Sequence, residues 1–229
     1  MWIKICGIRD VETALAVARC EPDAIGLNFY EKSPRVVEAG LALEIVIRLP
    51  KTVEAVGLFV NQSAEQIHSI CQKCELGIVQ LHGDEPPELL AELAAYRVIR
   101  AFRVGSEGLS GVARYLERCR QLDALPWACL IDARVEGAFG GTGKQAPWDL
   151  VRSQYDAANW PPLILAGGLQ PDNVSAAISA VQPWGVDVAG GVESQVACKD
   201  VAMVRKFVEA ARAGATVSAV RTPAANQGD

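Results

Sequence analysis

Short apolar runs recur along the chain, and each is followed by a turn and then by a stretch with helical periodicity. Runs of this length bounded by turn residues are typical of buried strands, so the pattern predicts an alternation of strands and helices. The eight predicted strands cover residues 2–6, 24–28, 53–59, 77–81, 97–102, 127–131, 163–166 and 185–188.

Helix start signals stand between several of these strands. Ser63 is followed three residues later by Gln66, which is the spacing of a capping box. Asp10 stands at an expected N-cap position, and prolines open two other helical segments. The predicted helices cover residues 11–20, a segment that starts after residue 63, and residues 88–95, 172–180 and 200–213.

Strictly alternating strands and helices with short connections call for parallel strands and right-handed crossovers. The fold class predicted is therefore α/β, a single-domain (β/α)8 TIM barrel over residues 1–213, with a polar and mobile tail at 214–229. The alternative is an open doubly wound sheet, which usually has fewer strands. Its glycine-rich fingerprint should follow the first strand, and residues 6–9 carry none.

Composition excludes several classes of partner and compartment. The 22 basic and 27 acidic residues give a net charge of −5 without any basic run, so we expect no binding to nucleic acid. No apolar run approaches the roughly 20 residues that cross a bilayer, so we expect no membrane segment. Seven scattered cysteines and the lack of a signal-like start favour a reducing, cytoplasmic location.

Two near-identical segments end strands seven and eight of the predicted barrel. Each reads Ala-Gly-Gly followed by an aliphatic residue, at 166–169 and 189–192. Glycine pairs let backbone N–H groups approach an anion, and barrels of this type often hold a phosphate after these two strands. Glycines at strand ends can also be turn residues only. The duplication favours a phosphate site, formed by Gly167, Gly168, Gly190 and Gly191.

Strand alternation predicts which polar side chains face the mouth of the barrel, because residues two apart share a face. Lys4 and Cys6 share one inward face, and Gln80 and His82 share another. Asp132 ends strand six on the face opposite to the preceding isoleucine. An amine, a thiol, an amide, an imidazole and a carboxylate beside a phosphate site are candidates for acid–base chemistry on a sugar phosphate.

Each of these residues also has a purely structural interpretation. Cys6 could be a small buried hydrophobic residue, and Asp132 could cap a turn. His82 could be a hydrogen-bonded wall residue, yet its ordinary pKa of about 6.5, against roughly 8.5 for a thiol, makes it the better general base on intrinsic chemistry.

Metal binding has little support in the sequence. Cys71 and Cys74 form a CxxC spacing with His68 one turn earlier, but all three fall inside a predicted helix and lack a second pair of ligands. We expect them to be ordinary helix residues and expect no metal site.

Seven motifs together resemble the phosphoribosylanthranilate isomerase family in their order and spacing. The resemblance runs from about Lys4 to the last predicted helix. The motifs are KICGI at 4–8, GLNFYEKSPR at 26–35, VGLFVN at 56–61, VQLHGDE at 79–85, LID at 130–132, GGTGK at 140–144 and GGL at 167–169. The family implies a (β/α)8 barrel and a cofactor-free Amadori rearrangement of N-(5-phosphoribosyl)anthranilate in tryptophan biosynthesis.

The resemblance also implies roles for individual residues. It makes Cys6 the general base and Asp132 the general acid, and Arg35 the partner of the anthranilate carboxylate. Gln80, His82 and Asp187 are expected to bind substrate as well, and the glycines after strands seven and eight match the phosphate site.

Two positions depart from the family pattern. Ala166 precedes the first glycine pair where family members often have serine, and Ala189-Gly190 stands where they often have two serines before Gly-Val-Glu, here 191–193. Because backbone N–H groups can bind the phosphate, we expect altered affinity and retained function. We also expect the thiol pKa of Cys6 to be lowered, with Lys4 as the nearest plausible cation.

Two alternatives remain open at this point. One is another sugar-phosphate barrel enzyme, such as indoleglycerol-phosphate synthase or the related histidine-pathway isomerase, which use a lysine or paired aspartates. The other is a catalytically silent barrel that binds a phosphometabolite. The expected partner is a small-molecule substrate, and the protein is expected to be a monomer or a homodimer.

Overall fold

The computed structural model describes residues 1–133 and 147–221. In this part of the chain, eight parallel strands pair in sequence order, and the eighth pairs with the first to close a barrel. The strands are β1 (Trp2–Cys6), β2 (Ala24–Asn28), β3 (Glu54–Phe59), β4 (Ile78–Leu81), β5 (Arg97–Val104), β6 (Ala128–Ala133), β7 (Leu163–Leu165) and β8 (Gly185–Val188). The predicted (β/α)8 barrel and all eight of its strands are confirmed. The motif at 140–144 lies outside the described residues.

Each strand precedes a helix that packs on the outside of the barrel. The helices are α1 (Val11–Ala18), α2 (Ala39–Arg48), α3 (Ala64–Cys74), α4 (Pro87–Glu92), α5 (Ser110–Gln121), α6 (Trp148–Gln154), α7 (Val174–Val181) and α8 (Val201–Arg221). The capping box predicted at α3 is present, since Ser63 and Gln66 bond reciprocally. Asp10 caps α1 by accepting from the Thr13 N–H at 2.7 Å.

Three helices, α2, α5 and α6, were absent from the prediction. Their N-cap residues are Glu38, Leu109 and Pro147, and none of these side chains makes a capping hydrogen bond. These helices therefore begin without the polar signal that marks a helix start in sequence. Packing of an apolar face on the barrel stabilises them in place of a cap.

The last helix extends further than predicted. We expected it to end at residue 213, before Gly214, but α8 continues to Arg221. A Cβ atom at Gly214 would lie 2.9 Å from Ser175 Oγ and 3.1 Å from Ser175 Cα in α7. Gly214 therefore allows two helices to approach closely and does not terminate one. Residues 222–229 lie outside the described residues, so the mobile tail stays a prediction.

The strands alternate as predicted. Ile3 and Ile5 belong to the apolar layer between the barrel and its helices, whereas Trp2 faces the barrel interior. Lys4 and Cys6 share the inward face with Trp2. The lower interior is filled by a separate apolar cluster, so polar side chains on this inward face are found nearer the mouth. That cluster consists of Trp2, Ala24, Val56, Ile78, Ile99, Ala101, Ala128, Leu130, Ile164 and Ala166.

A short antiparallel hairpin follows β8 and was not predicted. It consists of β9 (Glu193–Gln195) and β10 (Cys198–Lys199), after a single 3-10 turn at Gly190–Val192. The hairpin turn places Ala197 at φ 64°, a left-handed conformation that glycine or asparagine usually adopts. The segment therefore carries no sequence signal for a turn.

Candidate active site

One cavity of about 830 Å³ opens at the carboxyl ends of the barrel strands. This is the end of a (β/α)8 barrel at which catalytic residues are found. All ten residues predicted for the site line this cavity. They are Cys6, Arg35, Gln80, His82, Asp132, Gly167, Gly168, Asp187, Gly190 and Gly191.

The floor of the cavity contains a buried ion pair beside the Cys6 thiol. Lys4 is fully buried, and its Nζ lies 2.8 Å from Asp187 Oδ1 on the neighbouring strand β8. Pairing stabilises both charges in a place where an isolated one would be costly. Asp187 was predicted to bind substrate, and the structure places it both in the cavity wall and against Lys4.

The thiol fits against a glycine on the next strand. A Cβ atom at Gly26 would lie 2.6 Å from Cys6 Sγ and 3.1 Å from Lys4 Cε. Any side chain at position 26 would therefore displace the sulfur or the lysine. Gly26 belongs to a motif of the sequence resemblance, but the sequence did not indicate this reason for it.

Burial raises the pKa of the Cys6 thiol above its ordinary value near 9, although the Lys4 and Lys199 ammonium groups act in the opposite direction. The lowered thiol pKa that we expected is therefore wrong for this structure. Desolvation in the barrel outweighs the attraction of two nearby cations. Lys4 was correctly predicted as one of those cations, and Lys199 was missed.

An amide, an imidazole and a carboxylate form the opposite wall. Gln80 Nε2 donates to His82 Nδ1 at 3.0 Å, so the neutral ring carries its proton on Nε2. That Nε2 lies 3.4 Å from Asp132 Oδ2. The two groups are close without being hydrogen-bonded, since Nε2 makes no hydrogen bond of acceptable geometry within the described residues. Gln80, His82 and Asp132 are all buried.

The loop that carries His82 is fixed by a buried ion pair that sequence reasoning missed. Arg100 Nη1 lies 3.1 Å from Glu85 Oε2 and also donates to the Leu81 carbonyl. Glu85 in turn accepts from the Gly83 N–H at 2.9 and 3.0 Å. These bonds hold the backbone on both sides of His82, so Glu85 and Arg100 fix its position without lining the cavity.

Arg35 lies at the outer end of the cavity in a bidentate ion pair. Its Nε donates to Glu193 Oε1 at 2.8 Å, and its Nη2 donates to Glu193 Oε2 at 2.7 Å. The arginine stem packs over Gly7, where φ is +86° and a Cβ would lie 2.5 Å from Arg35 Cδ. The predicted partner of a substrate carboxylate is thus already oriented by a protein carboxylate.

Lys199 also contacts this glutamate, at the oxygen that accepts from Arg35 Nε. Its ammonium bonds to Glu193 Oε1 and donates to the Ala189 carbonyl at 3.0 Å. Burial would raise the pKa of the Glu193 carboxyl, but the bonds from Arg35 and Lys199 outweigh it and lower that pKa to about 2. Burial lowers the pKa of the Lys199 ammonium, and Glu193 opposes this change.

The two glycine pairs form the remaining wall. Gly167 and Gly168 have φ of +82° and +65°, which turns the chain sharply after β7. A Cβ atom at Gly191 would lie 1.8 Å from the Leu169 carbonyl oxygen, so the two loops touch through backbone. Only glycine allows this approach, and it leaves peptide groups at the surface of the cavity.

Other sequence features lie away from this cavity. Cys71 and Cys74 are buried in α3, and the nearby His68 bonds to Tyr96 Oη at 3.1 Å. No cluster of three potential metal ligands occurs among residues 1–133 and 147–221. Within the same ranges, no helix has the length and hydropathy needed to span a membrane.

Comparison with known proteins gives consistent matches. A family described as N-(5'-phosphoribosyl)anthranilate (PRA) isomerase matches residues 3–210. A protein of Geobacter metallireducens named N-(5'-phosphoribosyl)anthranilate isomerase is 43% identical over 212 residues, covering 92% of this chain and 98% of its own.

Solved structures agree with the sequence matches. A phosphoribosyl anthranilate isomerase in complex with reduced 1-(o-carboxyphenylamino)-1-deoxyribulose 5-phosphate is 33% identical, with a TM-score of 0.79 over 93% of this chain and 99% of its own. Monomers generated from the dimeric Thermotoga maritima enzyme are 34% identical, with a TM-score of 0.77 over the same shares.

Proposed function

The chain belongs to the N-(5'-phosphoribosyl)anthranilate isomerase family, and we propose that its Cys6 and Asp132 carry out the proton transfers of the isomerisation. It is an isomerase of tryptophan biosynthesis. The reaction is an Amadori rearrangement that converts N-(5-phosphoribosyl)anthranilate into 1-(2-carboxyphenylamino)-1-deoxyribulose 5-phosphate. The observation that supports this assignment is that a thiol and a carboxylic acid line one cavity, between a glycine wall and an oriented arginine.

Asp132 acts first, as the general acid. It delivers a proton to the furanose ring oxygen while the bond between that oxygen and C1 breaks. The nitrogen lone pair forms a C1–N double bond, and the ring oxygen becomes a hydroxyl group. The carboxylate left on Asp132 then lies 3.4 Å from His82 Nε2, whose N–H dipole stabilises the negative charge electrostatically.

Cys6 acts second, as the general base. The iminium acidifies the C–H at C2, and the thiolate removes that proton to give the enolamine. Protonation at C1 and loss of the enol proton then give the ketone. Lys4 and Lys199 both favour the thiolate, although burial keeps the pKa of Cys6 above its ordinary value.

The two anionic ends of the substrate orient the carbon atoms that react. Gly167, Gly168, Gly190 and Gly191 bind the phosphate through backbone N–H groups, and Arg35 binds the anthranilate carboxylate. We assign Gln80, His82 and Asp187 to the sugar hydroxyls between these ends, since all three line the cavity. Binding energy at both ends positions the reacting centre. The alanines at 166 and 189 alter phosphate affinity and leave this scheme intact.

The related structures include a complex with a carboxyphenylamino sugar phosphate and a dimeric enzyme, and we propose the corresponding substrate here and a monomer or homodimer. We also propose a cytoplasmic location and a reaction without metal or cofactor.

A turnover assay tests the proposed function directly. Purified protein should convert N-(5-phosphoribosyl)anthranilate, and a Cys6→Ser/Asp132→Asn double variant should be inactive. The histidine-pathway aminoaldose should be assayed separately as a second substrate. Conversion of that compound alone would replace the proposed function by the histidine-pathway one, and conversion of neither would favour the silent barrel.

A further inference from the structure

The charges around Arg35 do not cancel. Arg35 and Lys199 both contact Glu193, so two cations and one anion leave one net positive charge at this end of the cavity. The exposed fractions of the three side chains are 12%, 1% and 4% for Arg35, Lys199 and Glu193. Screening by water is therefore weak at this site, and one charge more or less changes the local potential strongly.

The geometry leaves one edge of the guanidinium open. Glu193 occupies Nε and one N–H of Nη2, and a guanidinium has five N–H donors. Within residues 1–133 and 147–221 the donors on Nη1 make no hydrogen bond, so they can bind a second carboxylate. Without Lys199, however, the Arg35–Glu193 pair would be neutral, and an incoming carboxylate would meet a protein carboxylate on the same guanidinium without compensation.

Lys199 is placed to remove that conflict. Its ammonium bonds to Glu193 Oε1, the oxygen that also accepts from Arg35 Nε, and donates to the Ala189 carbonyl. It therefore needs no contact with the substrate in order to act. Lys32 also lines the cavity but is exposed, so its charge is screened and cannot substitute.

We propose that Lys199 is a specificity-determining positioning residue: by neutralising Glu193, it allows Arg35 to bind the carboxylate of an aromatic substrate. The inference rests on the proposed function, because it concerns the same substrate. Glu193 holds the guanidinium by two hydrogen bonds, and a glutamine at this position keeps one acceptor oxygen, so the charge at position 193 can be removed without freeing Arg35. Both Glu193 and Lys199 lie on the hairpin β9–β10, so this hairpin sets the charge around Arg35.

The proposal predicts a charge-dependent pattern in four proteins. Wild type, Lys199→Met, Glu193→Gln and the double variant should be titrated by calorimetry with reduced 1-(o-carboxyphenylamino)-1-deoxyribulose 5-phosphate. Lys199→Met should bind at least about tenfold more weakly, because the site becomes neutral. The double variant regains one net positive charge and should bind within about threefold of wild type, and Glu193→Gln should bind at least as tightly as wild type at low salt.

A second ligand separates this role from a purely structural one. The reduced phenylamino analogue, which lacks the carboxylate, should bind all four proteins within about threefold of one another. Lys206→Met, which removes an exposed lysine from α8, is the matched control and should behave as wild type with both ligands. Thermal melting shows whether each variant is folded.

Three outcomes would overturn the proposal. They are equal weakening of both ligands in Lys199→Met, failure of the double variant to recover, and unchanged binding of the carboxylate ligand in Lys199→Met. Wild-type turnover of N-(5-phosphoribosyl)anthranilate is measured in parallel. If the wild type is active, any of these outcomes rejects only the proposed role of Lys199. If the wild type is inactive and binds neither ligand, the proposed function itself is rejected.

Discussion

His82 Nε2 faces Asp132 Oδ2 across 3.4 Å, and Gln80 fixes which ring nitrogen carries the proton. The protonated Nε2 thus lies beside the carboxylate without hydrogen-bonding to it, close enough to stabilise electrostatically the charge that the proposed proton transfer leaves on Asp132. We propose that Asp132 donates the proton and that His82 supports it, and substitutions can distinguish these two roles.

Replacement of Asp132 by Asn should abolish turnover, because an amide cannot deliver the proton to the ring oxygen. Binding of the reduced product analogue should stay within about tenfold of wild type, a difference of no more than roughly 1.4 kcal/mol. Steady-state kinetics and calorimetry provide the two measurements. A variant that keeps more than a tenth of the wild-type rate would show that the carboxylate only caps its loop.

Cys6→Ser should lower kcat by about 10² to 10⁴-fold, the usual contribution of a general base, since a hydroxyl is a far weaker acid than a thiol. His82→Asn should cost much less, because the ring supports Asp132 and does not abstract the proton. Both variants should be assayed under conditions that saturate the enzyme. Nearly full activity in Cys6→Ser with an inactive His82→Asn would assign proton abstraction to the imidazole.

Arg35→Met should raise KM strongly, because a guanidinium that binds the substrate carboxylate contributes to ground and transition states alike. The same substitution leaves Glu193 bonded to the Lys199 ammonium and the Ala197 N–H. Kinetics with the natural substrate provide the measurement, and Arg9→Met, which removes an exposed arginine near β1, serves as the control. Unchanged KM with a reduced kcat would remove Arg35 from the binding role.

The sequence predicted which side chains line the cavity better than it predicted the elements around them. Strand alternation placed Cys6, Gln80 and Asp132 on inward faces because each follows a run of aliphatic residues with a period of two. Glu193 and Lys199 could not be found in this way. They lie on a hairpin whose turn residue, Ala197, has no turn propensity, so nothing in the sequence shows that the segment folds back over the cavity.

Local sequence patterns also fail to identify residues that position the site without lining the cavity. Glu85 and Arg100 are fifteen positions apart on different elements, and only the register between β4 and β5 brings them together. Gly26 is similar, because its need for glycine arises from side chains on the neighbouring strand β1. Such contacts depend on how neighbouring strands are aligned in the closed barrel. A local sequence pattern predicts the strands but not these contacts between them.

Gly26→Ala should impair catalysis through the neighbouring thiol. The new Cβ would lie 2.6 Å from Cys6 Sγ and 3.0 Å from Cys6 Cα, so the sulfur or the strand must shift. We expect kcat to fall at least about tenfold, since small displacements of a reacting group are costly.

Gly40→Ala is the matched control for this substitution. Gly40 lies in α2, and apart from its own helix and chain neighbours no atom of the described residues lies within 4 Å of the added Cβ, so the change should leave kcat unaltered. It should also stabilise the protein by up to about 1 kcal/mol, because alanine has the higher helix propensity. Equal activity of the two variants would show that the glycine at position 26 is not needed to place the thiol.

The titration of Cys6 gives the last prediction. Burial raises the pKa of this thiol above its ordinary value near 9, so the rate of alkylation by iodoacetamide should rise with pH and reach its midpoint above about 9. Lys199→Met removes a cation that favours the thiolate, and it should move the midpoint to still higher pH.

The experiment requires a Cys198→Ser background, because Cys198 is exposed, and peptide mapping of the modified residue. The reduced product analogue should protect Cys6 in the same assay, since both occupy the barrel mouth. A midpoint below that of an ordinary thiol would mean that the cations outweigh burial in solution, and Lys199→Met would then measure how much of that effect comes from the hairpin.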